Sequence, residues 1–187
     1  MQTLPEDKIV DNFEHPKHPA KPDDKDIGKR VELPETGDRK GVLIYSTKYP
    51  TRSLGVKAGR VEAYENKLNT PDQYWNLGDK EPSVRFIRSW FLGPESLGVY
   101  AHGEENKLFF GANEDKRQMG GFWKFDMQPD KTYKVTNVWT KCRLHISDEG
   151  GSEKLACSPP TSDLDGDGWE ILQGAPKDLH AVAAAKE

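Results

Sequence analysis

The chain has 187 residues, enough for one domain, but only 34% are hydrophobic against 31% charged, so any core must be small. Its net charge of −4 carries no basic stripe, which argues against nucleic-acid binding, and no apolar run approaches the about 20 residues of a membrane-spanning helix. The 17 glycines and 13 prolines imply many turns and short elements rather than long helices.

No apolar leader segment follows Met1, so the expectation is a leaderless chain or a mature form with an added methionine. Residues 1–40 hold eight basic and ten acidic side chains and five prolines, with Val31 and Leu33 as the only strand-like alternation. That composition reads as an extended or partly disordered arm, either solubilising or partner-binding. At the other end, residues 174–187 form a tail that could turn into a short helix from Asp178, because alanine costs least in a helix.

Between them, residues 41–173 repeat themselves. Trp75 in "DQYWNL" returns as Trp123 in "GGFWKF" and Trp169 in "GDGWEI", at intervals of 48 and 46 residues. Each tryptophan is followed two residues later by Leu77, Phe125 or Ile171, the alternation of a strand with one buried face. Upstream, "YSTKY", "FIRSW" and "VTNVW" pair Tyr45 with Tyr49, Phe86 with Trp90 and Val135 with Trp139. Apolar groups at Leu54, Leu97 and Leu144, then at Val61, Leu108 and Leu155, complete three units of four strands. A propeller would need more blades than this length allows.

The hairpin register follows from direct pairing of Leu97 with Leu108 and Leu144 with Leu155, and of Leu54 with Val61 around Gly59. It leaves His102-Gly103 and Glu149-Gly150 as two-residue turns, with glycine where a positive φ is needed. The same register sets Cys142 opposite Cys157, within disulfide range. A bridge there fits an oxidising compartment and tilts the expected location towards the extracellular side.

Three such units resemble the β-trefoil family, an all-β barrel of pseudo-threefold symmetry capped by three hairpins. The resemblance covers about 133 of the 187 residues. The tryptophans look like the ricin-type lectin repeat, whose fourth strand carries Gln-x-Trp. Gln73-Tyr74-Trp75 keeps that pattern in full, whereas Gly121-Phe122-Trp123 and Asp167-Gly168-Trp169 keep the tryptophan alone. The cysteine pair is similar to the disulfide found within ricin-type repeats. The resemblance implies a sugar site with an aspartate in the second strand, an aromatic platform in the third and a polar residue before Gln-x-Trp. Those positions map onto Gly55, Gly98 and His145, then Glu62, Phe109 and Ala156, then Asp72, Gly120 and Gly166, so no unit holds the full set. Phe91, Tyr100 and Phe109, with Asp72 and Gln73, remain as candidate ligand contacts. The three tryptophans themselves are core residues.

Asp163, Asp165, Asp167 and Gly168 fit D-x-D-x-D-G, the start of an EF-hand-like calcium loop. The twelfth position is Gly174 rather than glutamate, and Trp169 already belongs to a strand, so an acidic turn is the favoured reading and calcium ligation the alternative. No nucleophile elbow, P-loop or His-Glu-x-x-His helix occurs. The expectation is a non-enzymatic, lectin-like binding protein, engaging a glycan through loops and exposed aromatics, without nucleic acid or membrane insertion. The alternative is a protein-binding trefoil: a protease inhibitor, a cytokine-like ligand or a structural component.

Overall fold

The computed structural model describes residues 29–34, 36–65, 73–90, 98–102, 106–111, 119–161 and 164–173. The tail, His180 within it, and residues 1–28 lie outside them. Twelve strands form one antiparallel sheet: β1 (Arg39–Ser46), β2 (Arg52–Lys57), β3 (Arg60–Glu65), β4 (Trp75–Glu81), β5 (Val84–Ser89), β6 (Gly98–His102), β7 (Lys107–Gly111), β8 (Phe122–Met127), β9 (Tyr133–Asn137), β10 (Arg143–Glu149), β11 (Ser152–Ser158) and β12 (Trp169–Gln173). A 3-10 turn, Met119–Gly121, leads into β8.

The pairings β1–β4, β4–β5, β5–β8, β8–β9, β9–β12 and β12–β1 return to their start, so these strands close a barrel. The hairpins β2–β3, β6–β7 and β10–β11 branch from it at equivalent places: Tyr45 opposite Ser53, Arg88 opposite Gly98, and Thr136 opposite Arg143. Alternation drives strand formation. In β9, Tyr133, Val135 and Asn137 point inward while Lys134 and Thr136 are half-buried. The barrel is filled by Ile44, Ile87, Val135 and the three tryptophans, all essentially without solvent contact.

Each indole donates to a backbone carbonyl of the hairpin in its own unit: Trp75 to Leu54 at 2.9 Å, Trp123 to Val99 at 3.0 Å, and Trp169 to Leu144 at 3.0 Å. Each tryptophan also stands opposite a buried small polar residue: Trp75 by Ser89, Trp123 by Asn137 and Trp169 by Ser46. The repeat seen in the sequence is therefore a repeat of packing and of hydrogen bonds.

The register of the hairpins differs from the expected one. Leu54 faces Ala63 and Val61 faces Val56; Leu144 faces Cys157 and Leu155 faces Ile146; Leu108 faces Ala101, and Leu97 lies outside the described residues. The reason is the turn. Type I′ geometry needs two residues at positive φ, and Gly150-Gly151 (63° and 83°) and Ala58-Gly59 (49° and 74°) supply them, as Glu149-Gly150 would not. The second hairpin closes more loosely, with His102 opposite Lys107 and not in the turn itself. Moving the register by an even number of residues keeps every side chain on its face. Cys142 and Cys157 are therefore still bridged, at a Cα separation of 5.2 Å, though Cys142 precedes β10 rather than lying directly opposite its partner.

Residues 29–34 are not detached from the barrel. Arg30 bridges Leu172, Val31 N–H donates to Ile171 and Gln173 N–H donates to Lys29, so this segment extends the β12 edge beyond Tyr133. Leu33 N–H then donates to the Tyr133 hydroxyl, and Val31 and Leu33 pack on the core. The buried Arg85 guanidinium donates to the carbonyls of Pro34 and Gly37 (2.6 Å for Gly37). Composition concealed these contacts, since most of their partners are backbone groups.

Candidate ligand-binding site

The pairing in the three hairpins fixes which residues occupy equivalent surface positions. The second-strand position is Gly55, Tyr100 and His145, and the residue across from it is Glu62, Phe109 and Ala156. Tyr100, not Gly98, is thus the second unit's residue, because Val99 rather than Leu97 is the equivalent of Leu54. Two residues before each tryptophan stand Gln73, Gly121 and Asp167.

The first and third units use these positions internally. Glu62 accepts the N–H of Leu155 from the neighbouring hairpin and, at 3.1 Å, that of Ala63. Gln73 is buried; its amide donates to Glu65 O at 2.6 Å and accepts from Ser53 Oγ at 3.1 Å. His145 is also buried and its Nε2 lies 2.7 Å from Ser158 Oγ. Asp167 accepts from Lys134 at 3.1 Å and Arg143 at 3.5 Å.

The second unit differs. Phe109 is half-buried and stacks on Tyr100, with ring centroids 5.4 Å apart and planes 16° from parallel, while the exposed His102 meets its edge at 6.5 Å. Tyr100 is only 2% exposed and lies under Gly121, where a Cβ would sit 2.5 Å from the ring. Glycine at 121 is what lets the phenol tuck in and support Phe109. Tyr100 and Gln73, expected as ligand contacts, therefore stand behind the surface. Phe91 and Asp72 fall outside the described residues.

No family model matches the chain, and no curated protein does. Solved structures do. A mosquitocidal holotoxin superposes over 78% of this chain with a TM-score of 0.61 at 14% identity, and the chain spans 18% of that toxin's length. The designed 3-fold symmetric protein ThreeFoil matches over 70% of this chain and 96% of its own, with a TM-score of 0.58 and 12% identity. The BEL beta-trefoil matches over 76% of this chain and 99% of its own, with a TM-score of 0.58 and 10% identity. The fold is a β-trefoil.

The acidic turn of this trefoil precedes β12, beside a groove of about 470 Å³. Lys48 pairs with Asp165; their hydrogen bond holds that carboxyl below its usual range and raises the lysine. With Asp167 held by Lys134 and Arg143, both described carboxylates have basic partners, and Asp163 lies outside the described residues. Elsewhere, Trp139 is 44% exposed. Its turn is held by Asn137, whose Oδ1 accepts the N–H groups of Trp139 and Thr140 at 3.1 and 3.0 Å. On the outer wall, Arg88 lies opposite Asn76. Sequence reasoning missed Arg88, although "FIRSW" places it between Phe86 and Trp90 on the non-core alternation.

Proposed function

We propose that this trefoil is a non-enzymatic, lectin-like carbohydrate-binding protein. The observation that carries the reading is the Phe109 ring, held half-buried at the platform position by Tyr100 and flanked by the exposed His102. An aromatic face suits the C–H surface of a pyranose, and an imidazole edge suits its hydroxyls. A lectin of Polyporus squamosus, solved with a human-type influenza-binding epitope, has the same fold at 13% identity, with a TM-score of 0.56 over 71% of this chain. That neighbour supports the class of ligand but not its identity. The Cys142–Cys157 bridge supports an extracellular location.

A glycan array at micromolar protein should return defined ligands, and Phe109→Ala should remove them while the chain stays folded, as its thermal transition shows. An array without ligands for either protein would turn the reading to its rival, a protein-binding trefoil. Trp139 favours that rival: an exposed indole on a turn fixed by Asn137 and Cys142 has the character of an interface anchor.

A further inference from the structure

We infer that the outer wall of the barrel carries a second site, which takes the carboxylate of an acidic saccharide; it rests on the carbohydrate-binding reading and gives it a ligand class. Phe86, Arg88 and Trp90 alternate with the core-facing Ile87 and Ser89. Across the β4–β5 ladder, Asn76 stands opposite Arg88 and Gly78 opposite Phe86. Asp38, Lys40, Asn76, Gly78, Arg88 and Trp90 frame a groove of about 260 Å³. Gly78 keeps its floor low.

The Arg88 guanidinium lies 3.9 Å above the Phe86 ring, which fixes its plane. Its Nε is buried and unpaired, so a ligand in the groove can meet only the two terminal NH2 groups. The fold does not require this arginine, since the equivalent positions in the other two units hold Tyr45 and Thr136. A planar carboxylate matches a guanidinium in a fixed plane, accepting two parallel N–H groups.

The remaining groups point to a sugar around that carboxylate. Lys40 adds an exposed cation beside the half-buried Arg88, so the two outnumber Asp38 locally in a chain of net charge −4. Asn76 accepts the Gly41 N–H through Oδ1 at 3.0 Å, which leaves its NH2 group as the donor for a ligand oxygen. Trp90, half-buried and edge-on to Tyr74 at 5.7 Å, supplies the apolar wall. This site is separate from Phe109, which lies on the second hairpin.

The test titrates the full chain with glucuronic acid, glucose and acetate, followed by heteronuclear NMR. Glucuronic acid should bind saturably at millimolar affinity or better, about tenfold or more tighter than glucose or acetate. Arg88→Gln should remove that preference, and Lys40→Gln should weaken glucuronic acid and spare glucose. The Lys40 variant decides the matter if Arg88→Gln does not fold. Equal binding of glucuronic acid by the parent and by folded variants, or equal binding of acetate, overturns the site. Neutral glycans bound through Phe109 alone would overturn it while the carbohydrate-binding reading stands; no saccharide binding at all would overturn both.

Discussion

Trp75, Trp123 and Trp169 each combine a full ring of buried apolar surface with one indole hydrogen bond. Each change to alanine should cost about 3–5 kcal/mol by chemical denaturation. Replacement by phenylalanine keeps much of the volume and strands a hairpin carbonyl, so it should cost less but measurably, about 1–3 kcal/mol. Tolerance of alanine at all three would contradict the shared core. The neighbouring Tyr74 gives a pH signature. Its burial pushes the phenol pKa well up, so the folded chain keeps a proton that the unfolded chain loses above about pH 10. Its contribution is complete below that pH and falls by about 1.4 kcal/mol per pH unit above it. Tyr74→Phe should flatten the alkaline limb of thermal stability, and identical limbs would show that Tyr74 is not the group. At this scale the sequence was legible where alternation alone decides burial, as for Trp75 and Phe109. It was not legible for Tyr100, whose partner depends on hairpin register, nor for Arg88, whose setting is made across two strands.

At the scale of the element, the hairpins show what a sequence can and cannot fix. Alternation assigned faces, and the face is what the disulfide needed; turn chemistry assigned register, and Gly150-Gly151 decided it over the leucines. Closing the Cys142–Cys157 loop should contribute about 3 kcal/mol under the chain-entropy model, so reduction or a double Cys→Ala change should lower the denaturation midpoint. Intact-mass measurement should find the native chain two hydrogens lighter than its reduced form, and free labelling of both thiols would refute the bridge. The acidic turn gives a parallel test. With Asp165 and Asp167 already paired to lysine and arginine, millimolar calcium should leave the melting temperature unchanged. A rise that Asp165→Ala abolishes would establish a calcium loop in place of those ion pairs.

Over the whole molecule, the threefold pattern was legible because three tryptophans at near-equal spacing must pack about one axis. The packing of residues 29–34 and 36–38 was not, because it breaks that pattern at one position. Where the first and third units place Val42 and Tyr133, the second places Arg85, 1% exposed, and its charge is satisfied by Pro34 and Gly37 carbonyls. An arm removable back to Gly41, as composition implied, would leave that guanidinium buried without two of its acceptors. Deleting residues 1–38 should therefore destabilise the barrel by about 2–4 kcal/mol, the scale of charged hydrogen bonds lost in a buried site. For a domain of this size that is a fall of roughly 5–15 °C in melting temperature. Lost apolar contacts of Val31 and Leu33 would lower it as well, so deletion alone does not isolate the arginine. Arg85→Met does, because without the charge the barrel has less to lose when the arm is removed. Deletion should cost markedly less in the Arg85→Met background than in the parent, and a double-mutant cycle measures the difference. Equal costs in the two backgrounds would mean that the arm stabilises only by covering apolar surface. A melting temperature unmoved by deletion in the parent would restore the boundary at Gly41.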